Sequence, residues 1–277
     1  MEIKKGAANH NSKANHLWSL LAAPLLLFIL LPIVSLFLRS SITDIIHNLN
    51  NRQVSQAITL SLSTSIVSTL LTLLFGTPIS YLLATRRFRG HNFIDTIIDL
   101  PTVLPPSVAG VALLLAFGRN GVIGGLLAKA GITIPFTFIA VVMAQMFIAS
   151  PLYVKAATIG FAHVDKQLIQ AAELDGANRW QIFRYIFIPL SGKSLLSGSV
   201  MTWARALGEF GATIIFAGNF PGRTQTMPLA VYIGFEISMN VALTLSIILI
   251  CFSFLTLIIV KGFLHTRLES DETIVSY

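Results

Sequence analysis

Charge is scarce in this chain: Asp, Glu, Lys and Arg make up 11% of 277 residues, whereas a soluble domain carries about 25%. That scarcity argues against a soluble enzyme with a solvated surface. Cysteine is almost missing. Cys251 stands alone, so no intrachain disulfide and no Cys-based metal site can form, and its place inside an apolar run predicts a buried packing residue. The six histidines (His10, His16, His47, His91, His163 and His265) are scattered over loops and tails and form neither HExxH nor another metal-ligand cluster. There is no GxxxxGK[ST] phosphate loop, so the chain is not expected to hydrolyse ATP. There is no GxSxG nucleophile elbow either. Together these absences disfavour a membrane enzyme.

What the chain has is apolar length: 54% of its residues are hydrophobic. Six apolar segments stand out, at about 17–38, 57–84, 96–117, 136–154, 194–218 and 239–263, and several reach the ~20 residues that cross a bilayer. Lipid cannot satisfy open backbone groups, so spans must be helices or a closed barrel. Apolarity without period-2 alternation selects helices. The expected fold is an all-α polytopic membrane protein of about six transmembrane helices over residues 17–265, with tails at 1–16 and 266–277. Lys4, Lys5 and Lys13 before the first segment loosely mimic a signal peptide. That segment is longer than a typical signal core and no small-residue cleavage site follows it, so it reads as an uncleaved span.

The net charge of +7 does not indicate nucleic acid, because the basic residues gather in particular loops. The N-terminal tail, the loops after segments two and four, and the C-terminal tail (Lys261, Arg267) hold 13 Lys and Arg; the other three loops hold five. The positive-inside rule then places both termini and the 155–193 loop in the cytoplasm.

That loop contains QAAELDGANRWQIFRYIFIP at 170–189. Asp165 can N-cap a short helix running to about Asp175, and Gly176 suits a left-handed stop. Asn178 and Gln181 have capping-box spacing for a second helix, whose Trp180, Ile182, Phe183, Ile186 and Phe187 can face the membrane or the bundle. Pro189 is expected to end it. Small residues at the turn would let another protein approach the backbone. The alternative is an amphipathic linker lying on the membrane.

The stretch resembles the "EAA" loop of bacterial ABC importer permeases: Glu-Ala-Ala, three residues, Gly, nine residues, Ile-x-Leu-Pro. Gln170 replaces the Glu and Ile188 the Leu, while Ala171, Ala172, Gly176, Ile186 and Pro189 match at every spacing. The resemblance implies an ATPase-coupling loop comprising Gln170, Ala171, Ala172, Asp175, Gly176, Ile186 and Pro189.

A second block lies at 202–232. Arg205 and Glu209 are one helical turn apart and can pair, and ionisable residues within a span usually face a bundle interior or an aqueous path. Gly208 and Gly211 flank that face and are expected to permit close helix approach. The pair is either a packing device or part of the pore. ARALGEFGAT, AGN and PGRTQTMPLAVY resemble the molybdate branch of the permease family. The sulfate and thiosulfate branch shares the ARA-x-GE core and departs at GRTQTMPLAVY. Arg223 and Thr224 are candidates for the external face. Upstream, Leu100-Pro101-Thr102-Val103-Leu104-Pro105-Pro106 predicts a kinked or broken helix, and Asp99 is placed to bond locally or to pair with Arg86 or Arg87.

The family resemblance implies a permease homodimer, two ATPase subunits that hold ATP and magnesium, and an external oxyanion-binding protein. It implies no cofactor in this chain and a multi-pass location in the cytoplasmic membrane. Sulfate, thiosulfate or tungstate are alternative cargoes. A secondary transporter or channel that uses no ATP is the alternative class.

Overall fold

The computed structural model of the protein describes residues 3–265; the tail expected at 266–277, with Arg267, lies outside the described residues. All regular structure among them is helical. The first helix, α1 (Ile3–Arg39), starts within the stretch read as a tail. After a short α2 (Ile42–Leu49), α3 (Arg52–Thr85) runs the full depth of the molecule. α4 (His91–Val103), α5 (Pro106–Phe117) and α6 (Gly124–Lys129) precede the long α7 (Phe138–Ala162). Among the described residues, four helices are long and apolar enough to cross a membrane: residues 20–39 of α1, α3, α7, and residues 239–259 of the last helix, α14 (Met239–His265). The other two apolar segments are not single helices.

The third segment is α4 and α5, which meet at a 117° bend. Two successive prolines cause it. A residue that precedes proline is pushed out of the helical region, and both Leu104 (ψ 135°) and Pro105 (ψ 132°) are extended. Pro106 then opens α5 at a position where its missing N–H costs nothing. The expected kink is therefore a reversal of direction.

The centre of the bundle is α3, α7 and α11 (Gly192–Leu207), each packed on the other two. The buried surface of α3 is unexpectedly polar. Ser61, Thr64, Ser65, Ser68, Thr72 and Ser80 are all buried. Thr64, Thr72 and Ser80 donate to carbonyls one turn back, at Leu60 (2.8 Å), Ser68 (2.9 Å) and Gly76 (2.8 Å). Hydroxyls satisfied within their own helix bring no unpaired group into the interface, and their small size lets the helices close up. α1 is different: its apolar side chains between Leu20 and Leu38 are mostly exposed, and its one substantial neighbour is α14.

Two sequence expectations need correcting. Asp99 does not pair with Arg86 or Arg87. Lys155, inside α7, reaches across to α4 and binds Asp95 at 2.6 Å and Asp99 at 2.9 Å. Lys155 was counted as a loop residue because the apolar run ends before it, although the helix continues to Ala162. Cys251 is exposed, not buried, because it lies on the face of α14 turned away from the bundle.

Close approach is critical where α5 meets α12 (Gly211–Phe216). A Cβ on Gly110 would lie 2.8 Å from both the Ala212 carbonyl oxygen and Ile215 Cβ. Gly110→Ala should therefore destabilise the protein by about 1–3 kcal/mol, the usual cost of overpacking. Gly125→Ala, whose Cβ would meet only Arg119 O at 3.8 Å, should be near neutral. Thermal unfolding of the two variants in detergent measures the difference.

Candidate functional site

Two places concentrate unusual chemistry: a helical hairpin at one end of the bundle, and a helix break in its interior.

The hairpin begins where Asp165, extended at φ −62° and ψ 126°, accepts Gln167 N at 2.8 Å and caps α8 (Lys166–Leu174). The helix stops in a two-bond motif: Gly176 N donates to Glu173 O (3.1 Å) and Ala177 N to Ala172 O (2.9 Å). That closure requires a left-handed residue after the cap, and Gly176 supplies it at φ 83°. Asn178 and Gln181 then form the expected capping box, each side chain accepting the other's backbone N–H at 2.9 and 2.7 Å, and start α9 (Arg179–Ile182).

Pro189 does not end the second helix. The chain passes through a π-turn at Phe183–Phe187 into α10 (Ile188–Leu190), and then through Ser191 into α11. In a regular α-helix Pro189 would strand the Tyr185 carbonyl and its ring would clash there. Widening to i→i+5 spacing relieves both faults. The hairpin thus feeds directly into the bundle.

One face of the hairpin is anchored. Ile182 and Phe187 are buried with Phe161 and Tyr153, and Ile169, Ala172, Phe183 and Ile186 pack around them. Tyr81 of α3 meets Phe183 and Phe187 edge-on, each at a centroid distance of 5.0 Å. The other face is bare. Gln170, Ala171, Asp175, Gly176 and Pro189 are exposed, as are Leu174 (89%), Tyr185 (74%) and Trp180 (68%). Trp180 stays outside the bundle core and leans on Phe183 at 5.6 Å. A shallow groove of about 390 Å³ runs past Ala172, Gly176, Gln181 and Tyr185. Exposed apolar side chains beside a groove floored by small residues form the kind of surface that a partner covers.

The break lies between α11 and α12, so the fifth apolar segment is two half-helices. Arg205 Nη1 donates to Glu209 Oε2 at 2.7 Å, as the spacing predicts. The other oxygen does what the sequence did not reveal: Glu209 Oε1 accepts Ala212 N at 2.9 Å. The side chain of Glu209 is 1% exposed and that of Arg205 37%. One buried carboxylate thus closes the broken end and is charge-compensated by the preceding turn. The glycines divide. A Cβ on Gly211 would meet Pro106 Cβ at 2.7 Å, so this residue does permit close approach; Gly208 has only Ala204 O at 3.7 Å. Gly208 borders a groove beside Phe210 and Tyr232 and contacts no neighbouring helix closely.

Beyond the break, the segment at 217–226 leads to α13 (Met227–Ile237). Arg223 is exposed, but Thr224 is fully buried. Its Oγ accepts Phe220 N at 3.1 Å, and Phe220 O receives the N–H groups of residues 223, 224 and 225. Thr224 therefore organises the loop from within instead of lining an outer face. Ser61 of α3 accepts Met227 N at 2.6 Å and ties the loop to the bundle. Among the described residues no group of His, Cys, Asp and Glu is placed to hold a metal ion.

The family described as "Binding-protein-dependent transport system inner membrane component" matches residues 76–269. The probable transport system permease protein NifC of Clostridium pasteurianum is 37% identical over 242 residues, 87% of this chain and 85% of that protein. The molybdenum transport system permease protein ModB of Haemophilus influenzae is 44% identical over 177 residues, 64% of this chain and 77% of its own. In fold, the chain is similar to a bacterial ABC transporter involved in import of the acidic polysaccharide alginate, with a TM-score of 0.72 at 15% identity, covering 95% of this chain and 98% of that one.

Arg205→Leu should be costly because it leaves a buried carboxylate without its counter-ion. We expect about 2–3 kcal/mol, below the 3–5 of a fully buried pair because Arg205 is partly solvated. Adding Glu209→Gln removes the stranded charge and keeps an acceptor for Ala212 N. The double variant should therefore melt above Arg205→Leu alone, which a double-mutant cycle on thermal unfolding reads directly.

Proposed function

Because the chain belongs to the family of binding-protein-dependent transport system inner membrane components, we propose that it is the molybdate permease of an ABC importer, driven through the 165–190 hairpin by a separate ATPase. The chain itself is a transport subunit and not an enzyme, and its apolar helices make it an integral membrane protein. The observation that carries the reading is the bare hairpin face around Ala171, Gly176 and Leu174, in a chain that has no phosphate loop of its own. The oxyanion assignment is supported by the sequence block at 202–232 and by the likeness to a molybdenum transport permease.

On this reading two copies of the chain pair and two ATPase subunits bind ATP and magnesium beneath them. An external protein delivers the oxyanion to the opposite face, with Arg223 exposed on the loop after the break. Both termini and the hairpin lie in the cytoplasm, and the membrane is the cytoplasmic one. ATP-driven closure of the ATPases brings the two hairpins together, and because each runs through Ser191 into α11, the motion reaches the bundle. The Arg205–Glu209 pair serves to hold the break in shape. Since the carboxylate consumes most of the charge of Arg205, the pair is a weak anion attractor.

Two experiments test this. In proteoliposomes with the cognate ATPase and binding protein, uptake of radiolabelled molybdate should require ATP and be competed by tungstate but not by equal sulfate. Uptake driven by an ion gradient without ATP would overturn the class, and equal competition by sulfate would overturn the cargo. Second, a Cβ on Gly176 meets nothing within 4 Å, so Gly176→Trp adds bulk only to the bare face, at a local backbone cost of about 1–2 kcal/mol. The variant should insert normally and lose the ATPase on co-purification. Gly176→Asn, which tolerates the left-handed turn, should retain it. An intact, coupled complex with Trp at this position would exclude docking here.

A further inference from the structure

A cavity of about 730 Å³ opens between the ends of α3 and α7 and the inner side of the hairpin. Four cations line it: Arg86 and Arg87 from the end of α3, Lys166 from α8 and Arg179 from α9. None of the four makes an ion pair among the described residues. The lining holds a single carboxylate, Glu173. Its floor is apolar, made in part by Tyr81, Phe161 and Phe187, the aromatic cluster that anchors the hairpin.

Four cations against one carboxylate around a single cavity favour a multiply oxygenated anion. The depth selects among anions. Thr85 and Ala162 are the last residues of two helices able to cross the membrane, so the cavity opens on the side where the spans give way to the hairpin. A small inorganic oxyanion would leave most of such a volume, and its apolar lining, unused. An amphiphile uses both: phosphate toward the arginines and glycerol or chain atoms against apolar side chains such as Ala162 and Ile169. We propose that this cavity holds the headgroup of an anionic phospholipid, wedged between the spans and the hairpin. The inference does not depend on which solute is carried or on what docks to the outer face of the hairpin.

The test uses the purified transporter with its ATPase, exchanged into nanodiscs of equal phosphatidylglycerol and phosphatidylethanolamine, with retained lipids counted by native mass spectrometry. The wild type should keep phosphatidylglycerol selectively. Arg86→Gln, Arg87→Gln, Lys166→Gln and Arg179→Gln together should abolish the selectivity, at roughly fivefold per cation neutralised. Neutralising Arg119 and Lys129, which do not line the cavity, should leave it unchanged. If the fourfold variant fails to insert, the pairs Arg86/Arg87 and Lys166/Arg179 should each give a partial loss. Undiminished selectivity in the neutralised variants overturns the proposal. So does displacement of the lipid from wild type by millimolar phosphate or molybdate, which would mark a free-oxyanion site. Loss of the ATPase with lipid selectivity intact would identify the cavity as a protein contact and overturn it as well.

Discussion

The carboxylate of Glu209 is the interaction on which the interior of the bundle depends. A helix interrupted inside a membrane protein leaves backbone groups that lipid cannot satisfy. Here one side chain supplies the acceptor for Ala212 N on one side of the break and a counter-charge for Arg205 on the other. With the break held, α12 can turn against α5 closely enough that Gly110 and Gly211 have no room for a Cβ. The same turn delivers the chain into the loop whose hydroxyl at Thr224 fixes its shape and whose Met227 N–H is received by Ser61. A neutral residue at 209 could not do both tasks, and a charged one without Arg205 would be a buried uncompensated anion.

At the other end of α11 the constraint is continuity. Had Pro189 ended the helix, the hairpin would be joined to the bundle by a slack linker. The π-turn instead absorbs the proline, and α10 and α11 follow with only Ser191 between them. Against α7 the contact is tight: a Cβ on Gly160 would lie 2.6 Å from Ser194 Cβ, and one on Gly198 2.8 Å from Ala156 Cβ. Packing this close deforms little. The hairpin and the break thus sit at the two ends of a helix that is held tightly against α7.

Much of this was legible in the sequence because it rests on local rules. Asp165, Gly176, Asn178 and Gln181 specify their caps and turn through contacts within six residues, and these formed as read. The consecutive prolines at 105 and 106 marked the reversal, although not its angle. What was not legible is non-local. The partner of Asp99 is Lys155, on a different helix, and the pairing is set by how α4 lies on α7. The burial of Thr224 and the exposure of Cys251 follow from which way an element faces, and hydropathy does not carry that. The second role of Glu209 depends on a break that a continuous apolar run conceals.

The buried hydroxyls of α3 show why hydropathy is an incomplete guide in such a chain. Read as apolar filling, residues 57–84 would need large side chains and would hold α7 at a distance. Their serines and threonines are small and most return their hydrogen bond to their own helix, so the interface gains closeness at little polar cost, with the Ser68 hydroxyl as an exception that is buried without a partner among the described residues. Gln145 of α7 is the counterexample: it is fully buried and both of its amide atoms are without a partner. A side chain that long cannot bond its own backbone in a helix as serine can, and it needs a neighbour across the interface. α7 packs on α3, α5, α11 and α12, and among the described residues none of them supplies Gln145 with a partner.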